Sequence, residues 1–121
     1  MAIDVYGTRM RMAQGDTGSV KFAVETGEIT DADKGVFTLA RRDGTAMLRK
    51  ILPPDLKENA FPMALVYEDT VKLKPDSYEW SLRVVRDGTF AAGGRLTGAQ
   101  SAHTPVLRGT LDVMKVAGGA R

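Results

Sequence analysis

Residues 75–88 read Pro75-Asp76-Ser77-Tyr78-Glu79-Trp80-Ser81-Leu82-Arg83-Val84-Val85-Arg86-Asp87-Gly88, and their pattern decides the fold. A turn signal leads into a strict alternation, and a second turn signal closes it. Tyr78, Trp80, Leu82 and Val84 fall on one side of an extended chain; Glu79, Ser81 and Arg83 fall on the other. Successive side chains of a strand point to opposite faces, so the pattern predicts an antiparallel strand with one face in a core and one in water. The stretch itself carries no catalytic chemistry.

The same punctuation recurs along the chain. Gly15-Asp16-Thr17-Gly18, Thr26-Gly27, Asp43-Gly44, Pro53-Pro54, Pro75-Asp76 and Asp87-Gly88 all signal turns. Between them lie short runs rich in Val, Phe, Leu, Thr and Met: Arg9-Met10-Arg11-Met12, residues 20–24, residues 36–40 and residues 46–52. Asp43-Gly44 predicts a hairpin, because Gly supplies positive φ and Asp tolerates it. Asp87-Gly88 predicts the same device, joining the Tyr78 strand to Thr89-Phe90-Ala91. A last strand is expected from Val106 to Val116, with Leu107, Leu111 and Val113 inward and Arg108, Thr110 and Asp112 outward. Gly109 then falls on the inner face, where a large neighbouring ring needs space. Pro53 to Ala60 has room for one helical turn with Pro at its start. No segment holds a 3.6-residue period for long. Seven to nine short strands and at most one helical turn imply two antiparallel sheets packed face to face. The reading is an all-β, immunoglobulin-like β-sandwich, with a small barrel as the alternative.

A chain of 121 residues is the size of one domain and can bury a real core. The expected domain is 1–121, ordered from about 8 to 116, with Ala117 to Arg121 a frayed tail. At 43% hydrophobic and a formal charge of only +2, the composition argues against disorder. Basic residues are interleaved with acidic ones rather than massed, so no nucleic-acid partner is expected. The densest basic cluster, Arg41-Arg42 with Arg49-Lys50, reads as a solvated hairpin face. With no cysteine there is no disulfide, no thiolate metal site and no Cys nucleophile. The residues from Met1 to Tyr6 do not form a secretory signal, and no apolar run approaches the roughly 20 residues of a membrane span. No membrane partner is expected.

Each polar cluster has a structural explanation. His103, the one histidine, lies in a polar loop before the last strand, and no nucleophile-elbow pattern surrounds Ser101 or any other serine. Asp31-Ala32-Asp33-Lys34-Gly35 opens like a calcium loop, but Arg42 stands where the closing glutamate belongs, so a solvated turn is the reading. Gly15-Asp16-Thr17-Gly18 has the Asp-Thr-Gly of aspartic proteases but lacks the apolar strand leading in, and reads as a tight turn in which Asp16 bonds backbone. Gly93-Gly94-Arg95 reads as a bulge or loop. Tyr78 and Trp80 are the residue types of a carbohydrate-stacking platform, but their alternation points them inward. Met10, Met12 and Met47 read as inner-face or interface residues, and methionine packs adaptably enough for an assembly surface. No catalytic, cofactor-binding or metal-ligating residue is assigned, and no cofactor is expected.

Three elements in order carry a resemblance: Gly15-Asp16-Thr17-Gly18-Ser19-Val20-Lys21-Phe22, Pro75-Asp76-Ser77-Tyr78-Glu79-Trp80-Ser81-Leu82 and Gly109-Thr110-Leu111-Asp112-Val113. Together, over roughly residues 8 to 116, the chain resembles the immunoglobulin-like domain at the N-terminus of bacteriophage baseplate upper proteins and related tail accessory proteins. The resemblance implies a non-enzymatic structural module of a phage or prophage tail that engages neighbouring subunits. It transfers no catalytic residues, and it makes the expected location a virion if the protein is phage-derived and otherwise the cytoplasm. Baseplate upper proteins often continue into further domains, so either a stand-alone accessory protein or one domain of a longer one fits.

The expected function is a structural or protein-interaction module, binding other subunits through edge strands and paired methionines and self-associating. The alternative is a carbohydrate- or ligand-binding sandwich, and a hydrolase comes third.

Overall fold

The computed structural model describes residues 4–6, 9–24, 28–91, 96–98 and 101–115, with backbone alone at 4–6, 96 and 101–107. Ten strands and one four-residue helix appear in this order: β1 (Asp4–Tyr6), β2 (Arg9–Ala13), β3 (Gly18–Ala23), β4 (Asp33–Ala40), β5 (Ala46–Leu52), β6 (Ala60–Leu65), α1 (Tyr67–Thr70), β7 (Asp76–Arg86), β8 (Thr89–Phe90), β9 (Leu96–Gly98) and β10 (Ser101–Met114). Seven of the strands have five residues or more, and β1, β8 and β9 are short additions. The all-β expectation holds.

The six-stranded sheet runs β1-β2-β10-β7-β4-β5. Every described pair in it is antiparallel except β2 with β10, which lie parallel. β3 and β6 form a second, two-stranded antiparallel sheet. Its inner residues Phe22, Phe61, Met63 and Leu65 pack with Phe37, Leu39, Trp80 and Leu82 of the larger sheet in one buried cluster. The predicted alternation explains this packing. Along β7, Tyr78, Trp80 and Leu82 are buried while Glu79 is exposed. Along β2, Met10 and Met12 are about 1% exposed and Arg9 and Arg11 face water.

Three rings hold the centre. Trp80 lies 5.4 Å from Phe22 of the opposite sheet and 6.0 Å from Phe37 of the neighbouring strand, centroid to centroid. Gly109 stands directly across from Trp80 in the β10–β7 register, as its inward position predicts. Gly35 sits under close packing from the opposite sheet: a Cβ there would meet Phe61 Cγ at 3.1 Å and, from the neighbouring strand, Leu82 Cδ1 at 3.2 Å. Pro62 sits in β6 facing water, and β6 pairs with β3 alone, so the missing N–H interrupts no central ladder.

Several local expectations are corrected. The helical turn is not at Pro53–Ala60. That segment closes on itself, with Asp55 N–H donating to Ala60 O at 2.8 Å, Ala60 N–H returning to Asp55 O at 3.1 Å, and Asn59 at φ 51°. Asn59 tolerates the left-handed region, and its side chain uses the position: Nδ2 donates to Val24 O and Oδ1 accepts from Ile29 N–H. The helix forms instead at Tyr67–Thr70, where Asp69 reaches back to accept from Val66 N–H at 3.0 Å and the buried Thr70 hydroxyl donates to Asp16 O at 2.7 Å. Asp43-Gly44 makes the predicted hairpin, with Gly44 at φ 92°. Asp87-Gly88 does not: Asp87 takes φ 52°, its N–H donates to Ala32 O, and β8 leaves the sheet to pair with β9. The last strand starts earlier than expected, at Ser101. The ends at Val116 and Ala117–Arg121, the turn at Thr26-Gly27 and Gly93-Gly94-Arg95 lie outside the described residues.

Candidate functional site

The residues singled out from the sequence end up dispersed. The Asp16 carboxylate accepts from Ala13 N–H at 3.1 Å while Asp16 N–H donates to Ala13 O, with Gly15 at φ 84°. That is the tight turn predicted for Gly15-Asp16-Thr17-Gly18. His103 is in a strand rather than a loop, its backbone opposite Val84; its side chain lies outside the described residues. Trp80 and Tyr78 are each 3% exposed, so they offer no stacking platform. The Tyr78 hydroxyl donates to Lys74 O at 2.6 Å, four residues upstream. Met10 and Met12 are core residues of a single chain, which removes them as an assembly surface.

Asp33 is the largest departure. The turn at Asp31 is exposed, but Asp33 is buried, and Arg86 clasps it through Nε at 3.0 Å and Nη2 at 3.1 Å. Thr30 N–H adds a third donor at 2.8 Å. The Arg86 guanidinium holds this carboxyl below the usual carboxylate range, outweighing the opposing cost of burial. Both oxygens are spent on tying the start of β4 to the end of β7, so this is an internal fastening rather than a solvated turn or a cation loop.

The basic cluster of Arg41-Arg42 and Arg49-Lys50 is split by strand alternation. Lys50 turns toward the seam with the smaller sheet, donating to Ala64 O at 2.9 Å and pairing with Asp69 at 2.5 Å. Burial works against the charge on Asp69, but Lys50 and the Val66 N–H outweigh it and lower its pKa. Arg49 turns the other way, onto the outer face of the larger sheet.

That outer face is the feature sequence order conceals. Across β2, β10, β7, β4 and β5 its described positions carry Arg9, Arg11, Arg108, Arg83, Lys34 and Arg49 as cations, against Glu79 and Asp112 as carboxylates. The register of β1 sets Asp4 opposite Arg11 at one edge. Arg42 approaches from the β4–β5 turn, and with Arg9, Ser77, Tyr78, Glu79, Thr110 and Asp112 it lines an open concavity of about 510 Å³. Within it, Arg9 donates to Asp112 Oδ2 through Nε at 3.1 Å and Nη2 at 2.9 Å, and the Ser77 hydroxyl donates to Oδ1 at 2.6 Å. The Ser77 hydroxyl and then Arg9 depress the Asp112 pKa, so this carboxylate stays ionised and holds Arg9 in place. Ser81, Thr38 and Thr110 fill the positions between the cations.

No family model, curated protein or solved structure matches this chain. Among the described residues no helix is long and apolar enough to cross a membrane.

Proposed function

We propose that this chain is a non-enzymatic protein-interaction module that presents the open face of its larger sheet to a partner. The sorting of arginine carries this reading. Five of the six cations at the described strand positions of that face are arginines, while Lys21, Lys57, Lys72 and Lys74 lie elsewhere. Arginine is enriched and lysine depleted at protein interfaces, because a planar guanidinium is weakly hydrated and bonds carboxylates in pairs.

The strand order supports an immunoglobulin-like assignment. In chain order β3, β4, β5, β6, β7 and β10 take the places of strands B, C, C′, E, F and G, giving sheets G-F-C-C′ and B-E. The Tyr78 hydroxyl bond to Lys74 O matches the tyrosine corner near the start of strand F. Pro75 to Leu82, which carries this corner, also carries the resemblance to baseplate upper and tail accessory proteins. A phage or prophage tail, with self-association or binding to neighbouring subunits, is therefore the setting we propose.

Co-expression with the products of adjacent genes, followed by size-exclusion chromatography with light scattering, tests the reading. A stoichiometric complex or a defined homo-oligomer supports it. A monomer that binds none of the neighbouring products refutes it.

A further inference from the structure

We infer that the arginine-lined outer face of β2, β10, β7, β4 and β5 docks a carboxylate-rich protein surface; the inference rests on the interaction-module reading and names the partner's chemistry. Charge complementarity is the first ground. The cations Arg9, Arg49, Arg83, Arg108 and Arg42 surround a centre of hydroxyls, and Asp112 keeps Arg9 extended across it. A guanidinium fork can take a carboxylate side-on in two bonds, as Arg9 already does with Asp112.

The size of the face suits such a partner. Five strands at about 4.8 Å spacing span about 24 Å, and the eight residues of β4 run about 26 Å. The projected area is about 600 Å², but Val36 and Val85 on it are already buried, so the free part is below the roughly 800 Å² per partner of a standard interface and in the range of a transient one.

Nucleic acid fits less well. Recognition of single strands on a sheet relies on exposed aromatic rings for stacking, and here Phe22, Phe37, Phe61, Tyr78 and Trp80 all point into the core. Exposed Glu79 lies among the arginines, where it would repel the uniform phosphates of a nucleic acid but can pair with a cation on a protein surface of mixed charge.

The test uses the full chain, isotopically labelled, titrated at physiological ionic strength with a short poly-glutamate peptide and separately with a short DNA duplex. Poly-glutamate is expected to shift amides of β2, β4, β5, β7 and β10, to bind more tightly than the duplex, and to weaken as salt is raised. The triple reversal Arg42→Glu, Arg49→Glu and Arg108→Glu is expected to weaken it on the order of tenfold or more. Reversing Lys57, Lys72 and Lys74 to Glu changes the net charge equally away from the face and is expected to leave the affinity within about twofold. Should the arginine reversal fail to fold, the same three positions changed to Gln carry the test. Equal weakening by both triple variants, tighter binding of DNA, or shifts confined to other surfaces would overturn the inference. A stoichiometric complex with a co-expressed neighbour that survives the arginine reversal would overturn it too, while leaving the interaction-module reading standing.

Discussion

Replacing Trp80 with Ala removes the side chain on which the two sheets close. Trp80 is 3% exposed and is the protein's one tryptophan. An aromatic side chain takes about 150–250 Å² out of water, and at about 25 cal/mol per Å² the upper figure for its burial is about 4–6 kcal/mol. Collapse into the space left is limited, because Phe22 and Phe37 are held on different sheets and Gly109 opposite has no side chain to fill it. The expected loss is about 3–5 kcal/mol. For 121 residues, at about 2.1 cal/mol/K per residue, the unfolding entropy is about 0.25 kcal/mol/K, so the midpoint should fall by about 12–20 °C. Thermal and denaturant unfolding followed by circular dichroism measure this. In the parent protein, tryptophan fluorescence should shift to the red on unfolding along the same transition. A midpoint within about 2 °C of the parent would refute the reasoning, since no residue of this size leaves a packed core at so small a cost.

Gly35→Ala places a methyl against Phe61 and Leu82 and should cost about 1–3 kcal/mol in denaturant unfolding, part of which Phe61→Leu should recover in a double-mutant cycle. Asn59→Ala should cost about 2 kcal/mol, because Ile29 N–H and Val24 O lose their partners; Asn59→Gly, which keeps the left-handed backbone easy, isolates the side-chain bonds from the backbone strain. Asp33, Asp69 and Asp112 all have folded pKa values below the ordinary 3.8. A depressed pKa gives stability that is fully present above the unfolded value and is lost as pH falls through the folded one, so stability should be level above about pH 4 and decline below it. In Asp33→Asn that acid-side decline should be shallower, and an identical slope in urea midpoints measured from pH 5 to 2 would show that the Arg86 pair contributes nothing.

Where a rule is local, the sequence predicted the structure. Alternation placed Met10, Met12, Tyr78, Trp80, Leu82, Leu111 and Val113 inside, and Asp43-Gly44 made its hairpin because the turn needs only a residue free to take positive φ. The misses involved competition from distant partners. Pro53 to Ala60 satisfies its backbone by closing a loop and by lending Asn59 to the β3–β4 connection, so no helical turn forms. Asp87-Gly88 ends β7 at a contact with Ala32, and β10 rather than β8 becomes the neighbour of β7. Asp33 reads as a solvated turn residue until Arg86, 53 residues away, is brought beside it.

The sequence by itself determined the class of the molecule: an all-β chain with its large side chains inward, because a period of two is a property of each strand alone. It also settled that acids and bases are interleaved along the chain. Only the tertiary structure decided what that interleaving does. Lining strands up in register stacks residues far apart in sequence, so Arg9, Arg108 and Arg49 arrive on one face of one sheet, while Lys50, next to Arg49 in the chain, turns inward to close the seam. Strand order and facing are long-range choices, and in this chain they turn a charge pattern evenly mixed along the sequence into a surface of one dominant sign.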